Sequence, residues 1–269
     1  MQDASGKAFP LYLKKTVLQP LGMTHSAYEQ PLPASMHEQI AVPLNRDGTP
    51  LAGGPYTYPE LAAAGLWTTA PDLAKFLIMM QRSLAHDGNH ILNAEMTRQM
   101  VTPGQGDWGL GLSISGTEGH RYFWHGGANE GYECLVTAYE NGDGAVVMTN
   151  ASGGLRLANE VMRGIATEYG WADWRPRVVK VVGVDPKILA KYVGTYTVDP
   201  NFNLVMTFED GKLYCQGTDQ KKFEMWSESE TRFTFVVDVD VAFVTDAKGS
   251  VVGLDVIQDG RTRRAPKKE

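Results

Sequence analysis

The stretch Tyr122-Phe-Trp-His-Gly-Gly-Ala-Asn-Glu-Gly-Tyr132 decides how this sequence is interpreted. An aromatic-rich run with strand character leads into His125-Gly126-Gly127, and a second apolar strand begins at Tyr132. Two glycines directly after a histidine remove every side chain at one end of the first strand. Another molecule can then lie against the backbone, or the chain can twist sharply. The pattern therefore indicates either one wall of an active site or a glycine-rich turn.

The neighbouring residues predict an α+β fold, with an antiparallel sheet and flanking helices. Thr69 can cap a helix that runs to Leu84, and Asp72 three residues later completes a capping-box-like start. The segment from His25 to Pro59 is proline-rich and irregular, which is typical of a functional or surface-wrapping loop. The remaining candidate helices are 6–20, a short one after Asn93, and 157–169, and the candidate strands are 108–115, 121–125, 132–140 and 145–150.

The second part of the chain has a different pattern. We expect a first domain over residues 1–175, a linker over 176–187 and a second domain over 188–269. Short strands at regular spacing predict a small up-and-down β-barrel, because closure removes exposed strand edges. After a short helix at 186–193, the candidate strands are 194–198, 204–209, 212–216, 222–226, 232–237, 241–245, 251–258 and 261–265.

Composition excludes several classes of function. The net charge of −6 gives no reason to expect a nucleic-acid partner, and the one basic cluster, from Arg261 to Lys268, fits a solvated tail. No apolar run approaches the roughly 18 residues of a membrane-spanning helix. The N-terminus lacks a signal-peptide pattern, so we expect a cytoplasmic protein, or a periplasmic or secreted one if an N-terminal part is missing. Cys134 and Cys215 are expected to be buried thiols. We expect no cofactor and no metal.

Three segments in order resemble the serine β-lactamase and penicillin-binding-protein superfamily, in its branch of class C β-lactamase-related esterases and peptidases. The first is the Pro-Leu-Gly-Met segment within Val17–His25, and the second is the Gly-Leu-Trp-Thr-Thr-x-x-Asp-Leu pattern within Ala64–Phe76. The third is His125-Gly126-Gly127, which is similar to the family's His-x-Gly triplet. The resemblance spans residues 5 to about 170 and implies the C-terminal part of a β-lactamase-like domain. The following strands resemble a lipocalin-like barrel.

The resemblance implies acyl transfer from a small-molecule or peptide substrate. In the family, a serine in Ser-x-x-Lys attacks a carbonyl and a Tyr-x-Asn motif assists proton transfer. The third-motif strand holds the substrate, which assigns His125 to the catalytic wall and the Ala128 N–H to an oxyanion hole. Gly126 and Gly127 are then substrate-binding residues. Tyr58 and Trp67 are further candidates for the cleft, although aromatic residues in such a loop are as often packing anchors.

The sequence departs from the family at the nucleophile. No Ser-x-x-Lys occurs in it, and the closest matches, Thr218–Lys221 and Thr245–Lys248, lie at predicted turns of the second domain. The one Tyr-x-Asn is Tyr139-Glu-Asn141, at a strand end. In the family both motifs precede the Pro-Leu-Gly-Met segment. We therefore expect a serine hydrolase fragment that is inactive alone.

The same comparison leaves strand 145–150 without a neighbour on one side. Val146, Val147 and Met148 would form an apolar edge that invites pairing. We expect self-association, a complementary chain, or a truncated product. The alternative function is a non-catalytic binding or assembly protein that uses the barrel and this edge. A metal-dependent hydrolase using His120 and His125 is a weaker alternative, because i, i+5 spacing on a strand points the two rings to opposite faces.

Overall fold

A computed structural model describes residues 1–86, 91–117, 119–174, 178–236, 239–258 and 261–268. The chain divides into two compact units, Met1–Pro176 and Arg177–Glu269, which we treat separately. Val237, at the end of a predicted strand, and residues 175–177, which include the start of the predicted linker, lie outside the described part. No helix within that part is long and apolar enough to cross a membrane.

The first unit contains six α-helices and four strands among its described residues. The helices are α1 (Gln2–Ser5), α2 (Phe9–Leu13, continued by a π-helical turn at Lys14–Leu18), α3 (Leu61–Ala64), α4 (Ala70–Leu84), α5 (Ala94–Met100) and α6 (Leu155–Glu168), with a 3-10 helix at Ala34–Gln39. The strands are β1 (Ser113–Ser115), β2 (Tyr122–Asn129), β3 (Tyr132–Tyr139) and β4 (Gly144–Thr149).

One antiparallel sheet organises this unit, with strand order β1-β2-β3-β4. Its side chains alternate between two cores, as a pleated sheet requires. Phe123 and Val136 pack with the apolar face of α4, whereas Leu135 and Tyr139 pack with α6. The α+β class and the antiparallel sheet with flanking helices are confirmed.

Two details of the predicted elements are wrong. The expected strand over residues 108–115 is reduced to β1, because the preceding residues form tight turns, with Gly109 N–H donating to the Leu112 carbonyl and Ile114 N–H to that of Asp107. The Thr69 side chain caps α4 as expected, accepting from Asp72 N–H at 3.3 Å. The Asp72 carboxylate, however, does not accept from the backbone of Thr69, as a capping box requires. It accepts from His25 N–H, Ser26 Oγ and Lys75 Nζ instead.

The strand β4 lies at the edge of the sheet as the structure describes it. Its apolar side chains are covered on both faces, because Val146 packs toward the α4 core and Val147 toward the α6 core. Met148 is 39% exposed. The strand contains no proline and no charged residue, which are the usual protections of an edge.

The second unit is a set of sequentially paired antiparallel strands around one core. Its elements are α7 (Pro186–Leu189), a 3-10 turn at Ala190–Tyr192, β5 (Gly194–Asp199), β6 (Phe202–Glu209), β7 (Lys212–Gly217), β8 (Lys222–Glu224), β9 (Trp226–Ser227), β10 (Arg232–Val236), β11 (Val239–Thr245), β12 (Val251–Gln258) and β13 (Arg261–Pro266). The core includes Tyr196, Met206 and Leu254, each 0% exposed. The predicted strand positions are largely confirmed.

The closure predicted for these strands is not confirmed, because they form two sheets rather than one closed ladder. The sheets are β5-β6-β7-β8 and β9-β10-β11-β12-β13. The predicted strand 222–226 is interrupted at the buried Met225, so its two halves join different sheets. At the other side a bridge between Tyr196 and Lys267 links β5 to the residue after β13, and Lys268 N–H donates to the Thr195 carbonyl at 2.7 Å.

The basic cluster near the C-terminus is not a solvated tail, and that interpretation is wrong. Arg261–Pro266 forms β13 and pairs with β12. Arg264 makes a bidentate pair with Asp255 at 2.6 and 3.2 Å, so part of the charge belongs to the sheet surface.

Candidate functional site

His125 lies on the exposed part of β2, past the end of β1. Strand β1 pairs only with Tyr122 to Trp124, so residues 125–129 of β2 have no strand partner on that side among the described residues. The His125 ring is exposed and meets the Trp108 ring edge to face, with centroids 5.8 Å apart. The histidine therefore lies on an open strand edge beside an aromatic side chain.

The direction in which each backbone N–H of this edge points follows from the hydrogen-bond pattern between β2 and β3. Glu140 N–H donates to the Arg121 carbonyl at 3.1 Å, which makes that pair hydrogen-bonded. Hydrogen-bonded and non-hydrogen-bonded pairs alternate along an antiparallel ladder. In the observed register, Ala128 opposite Glu133 is a non-hydrogen-bonded pair. The N–H groups of Gly126 and Ala128 thus point away from β3, toward the open edge.

The two glycines differ in how closely neighbouring atoms approach them. A Cβ atom at Gly127 would lie 2.8 Å from the Cys134 sulfur, whereas one at Gly126 would meet its nearest neighbours at 3.8 Å. Burial raises the pKa of the Cys134 thiol, and the Gly127 N–H opposes that shift. A side chain at position 127 would have to displace the Cys134 sulfur, whereas position 126 leaves ordinary contact distances around the backbone.

The turn between β2 and β3 is held by groups distant in sequence. Asn129 donates to the Ala64 carbonyl at 3.0 Å, and Glu130 N–H donates to the Tyr58 hydroxyl at 2.9 Å. The half-buried Tyr58, predicted as a substrate-binding residue, thus lies at this turn as a hydrogen-bond acceptor. The structure brings it to the end of β2 that carries Ala128.

Trp67, the other predicted aromatic residue, is also half-buried near this turn. Its ring meets Tyr132 edge to face at 5.7 Å, and its backbone pairs with Ala27. These contacts place Trp67 in the packing behind the turn. Among the described residues, neither Trp67 nor Tyr58 forms a hydrogen bond or a ring contact with His125.

A polar cavity of about 310 Å³ adjoins Ala128, and only Ala128 among its lining residues was predicted from the sequence. Three separate segments form it: the loop before α3, the β2–β3 turn with the start of β3, and the turn before α6. Its lining residues are Asn45, Arg46, Ala128, Asn129, Glu130, Glu133 and Ser152.

Both acidic lining residues, Glu130 and Glu133, accept hydrogen bonds from neighbouring groups. The Glu133 carboxylate accepts from Gly153 N–H at 2.7 Å and Leu155 N–H at 2.6 Å, so it caps α6. Ser152, in the turn before this helix, accepts from Gly131 N–H at 2.9 Å and donates to Glu130 at 2.8 Å. A helix N-terminus stabilises negative charge, which accounts for the position of Glu133.

A second cavity, of about 510 Å³, lies beside the Trp108 loop. Trp108 is 49% exposed and Leu110 is 62% exposed. The other lining residues are Thr102, Gly104, Gln105 and Gly109. Since Trp108 also meets His125, this less polar cavity lies on the His125 side of the wall.

Asp72 is a buried acid that belongs to the support of the site. Its side chain is 1% exposed and accepts from His25 N–H, Ser26 Oγ and Lys75 Nζ at 2.7 to 2.9 Å. Burial alone would raise the pKa of this carboxyl, but the three donors outweigh it and the pKa is lowered. The charged carboxylate joins the segment after the Pro-Leu-Gly-Met residues to α4.

None of the formal matches to nucleophile motifs belongs to strand β2. Tyr139 is 4% exposed and packs against Trp171 on the α6 side, where burial and the nearby Asp173 raise the pKa of its hydroxyl. Thr218 and Thr245 belong to the second unit. Among the described residues, no three His, Cys, Asp or Glu side chains are placed to hold a metal ion.

Comparison with known families gives a match over each part of the chain. The model described as "Beta-lactamase" matches residues 1–167, and that described as "Domain of unknown function (DUF3471)" matches residues 179–264. A search of curated proteins found no match.

Three solved structures have a fold similar to that of this chain. SurE is 21% identical with a TM-score of 0.54 over 98% of this chain and 64% of SurE. An octameric penicillin-binding protein homologue from Pyrococcus abyssi is 20% identical, with a TM-score of 0.52 over 98% of this chain and 61% of the homologue. SurE solved with D-Leu is 21% identical, with a TM-score of 0.50 over 98% of this chain and 64% of that chain. The chain thus spans less than two thirds of the length of these structures.

Proposed function

The chain belongs to the β-lactamase family, and from this premise we propose that it supplies the third-motif wall of a serine hydrolase acyl-transfer site. The observation that carries the proposal is the outward direction of the Ala128 N–H on an open strand edge that also bears the exposed His125. These two groups stand on one strand, three residues apart.

The chemistry follows from that edge. The Ala128 N–H donates to the carbonyl oxygen of the acyl substrate as negative charge develops on it. A fixed donor of this kind stabilises the transition state more than the ground state, and one such donor is typically worth about 2.7–4 kcal/mol of barrier. His125 hydrogen-bonds the substrate from the same strand, and its charge is adjustable near neutral pH. Gly126 and Gly127 leave the backbone open to the substrate.

The attacking group has no counterpart in this sequence, because it contains no Ser-x-x-Lys. We expect the chain to be inactive by itself. The substrate class is an ester, amide or β-lactam of a small molecule or peptide. The related fold of SurE, solved with D-Leu, supports a compound that contains an amino-acid residue as the first one to test.

The proposal is tested by comparing two proteins. One is the chain of residues 1–269, and the other is any longer product of its reading frame that carries Ser-x-x-Lys and Tyr-x-Asn. With a chromogenic cephalosporin and a p-nitrophenyl ester, we expect turnover only by the product that carries Ser-x-x-Lys and Tyr-x-Asn. In that product, replacing His125 by alanine should lower turnover. Undiminished turnover by the variant would refute the proposed role of this strand.

Assembly through β4 is a second candidate function, supported by the unprotected edge of that strand and its exposed Met148. On this proposal a second copy or a complementary chain pairs with β4. The octameric homologue from Pyrococcus abyssi has a similar fold. The second unit, proposed as a lipocalin-like barrel, would then bind a peptide or apolar ligand. A monomer by light scattering over a wide concentration range would count against this candidate.

A further inference from the structure

The cavity beside Ala128 has an arrangement of charge that the acyl-transfer proposal does not use. We propose that it binds a zwitterionic α-amino acid, with the ligand carboxylate at Arg46 and its ammonium group at Glu130. The proposal extends the proposed function by assigning a ligand class to the adjoining cavity. It depends on the charges and hydrogen bonds of three segments.

The cavity is built by the fold rather than by a loose loop. Leu44 N–H donates to the Asn150 carbonyl at 3.0 Å, and Ser152 N–H donates to the Leu44 carbonyl at 2.9 Å. These bonds attach the loop of Arg46 to the end of β4. A Cβ atom at Gly131 would lie 2.4 Å from the Pro43 Cβ, so the β2–β3 turn also packs closely on this loop.

Arg46 carries the positive charge of the cavity. Its side chain lies over Gly153, where an added Cβ would meet the Arg46 Cγ at 3.6 Å. Within the part of the chain that the structure describes, no carboxylate forms an ion pair with Arg46. A guanidinium offers five donors in a planar fork that matches a carboxylate. Arg46 is therefore the group that a ligand carboxylate would contact.

The two acids of the cavity are not equivalent. Both oxygens of Glu133 accept backbone N–H groups at the start of α6, so its charge is offset by the helix. Glu130 has a single side-chain contact among the described residues, in which Oε1 accepts from Ser152. The other oxygen of Glu130 remains as the acceptor for an ammonium group.

These charges favour a zwitterion over a simple anion or cation. An anion alone would meet Arg46 but also the two nearby carboxylates, and a cation alone would leave Arg46 without a partner. A molecule that carries both charges satisfies both sides of the cavity. The volume of about 310 Å³ is large enough for a small amino acid. Its side chain would lie toward the Ala128 methyl group.

The test is a binding measurement on residues 1–269, which needs no turnover. The probes are D-alanine, L-alanine, acetate and methylammonium, each titrated by calorimetry. We expect saturable binding of at least one alanine enantiomer and none of acetate or methylammonium in the same range. Arg46→Gln and Glu130→Gln should each weaken binding about 10- to 100-fold, the loss expected for one charge-assisted hydrogen bond. Glu130→Gln keeps an acceptor for Ser152, so folding is preserved.

Arg156→Gln is the matched control, because Arg156 is an exposed arginine of α6 paired with Glu160 at 3.5 Å. It should bind alanine as the unmodified chain does. No saturable binding of either enantiomer, or equal affinities in all three variants, would overturn the proposal. Tight binding of acetate alone would also overturn it, since a plain anion site would then suffice. Because no step requires a nucleophile, these results are independent of whether acyl transfer is observed.

Discussion

The Ala128 N–H is the group on which the proposed chemistry depends most, and proline removes it without removing a ladder hydrogen bond. Ala128 stands opposite Glu133 in a non-hydrogen-bonded pair, so its N–H is not used by β3. Proline is tolerated on strand edges where the missing N–H would face outward. The preceding residue, Gly127, has no Cβ to clash with the proline ring. Ala128→Pro is therefore expected to fold.

The expected loss is kinetic rather than structural. Removing one oxyanion donor typically costs about 2.7–4 kcal/mol, or about 10²- to 10³-fold in rate. We expect a loss of that size in kcat for Ala128→Pro of a longer product that carries Ser-x-x-Lys and Tyr-x-Asn. Ala128→Gly keeps the N–H, so its kcat should stay within about threefold of the parent, less than the tenfold that 1.36 kcal/mol represents.

The assay is steady-state hydrolysis of a p-nitrophenyl ester by both variants, with urea unfolding of residues 1–269 as the control for the fold. A free energy of unfolding within about 1 kcal/mol of the parent is expected for Ala128→Pro, since no internal hydrogen bond is lost. If this variant folds and retains full kcat, the Ala128 N–H is not an oxyanion donor.

Three further predictions concern the same sheet. Gly131→Ala should lower the free energy of unfolding by about 2–5 kcal/mol, because left-handed backbone strain at φ +79° adds to overpacking. Gly142→Ala, where an added Cβ meets no atom within 4 Å, should lower it by about 1–2 kcal/mol through strain alone. Equal losses for the two variants in urea unfolding would contradict this. In amide hydrogen exchange by NMR, the Ala128 N–H should exchange far faster than that of His125, and comparable protection would show that the ladder assignment is wrong. Met148→Lys should reduce any concentration-dependent increase in mass seen by light scattering, because a charge protects a strand edge.

The sequence was most informative where the interacting groups are adjacent along the chain. His125, the two glycines and Ala128 follow one another on a strand, so their common position could be inferred from the resemblance to the family's triplet. The Thr69 cap of α4 was equally local. Such features need only the backbone geometry of one element.

Features that depend on distant segments could not be predicted in the same way. Arg46 reaches the cavity because backbone hydrogen bonds attach its loop to residues 150–152. No local sequence pattern predicts that pairing. Asp72 lies at the position of the acid in a capping box, but its carboxylate accepts hydrogen bonds from Lys75 and Ser26 instead. The closure of the predicted barrel is not confirmed at Met225, where a run with strand character divides between two sheets.

The central claim is that this chain provides a wall of an acyl-transfer site without a nucleophile of its own. The most direct test treats residues 1–269 with a serine-directed fluorophosphonate and measures the intact mass. We expect an unchanged mass under conditions in which a serine hydrolase that carries Ser-x-x-Lys gains one phosphonyl group. A stoichiometric adduct on residues 1–269, mapped to one serine and accompanied by loss of esterase turnover, would contradict it.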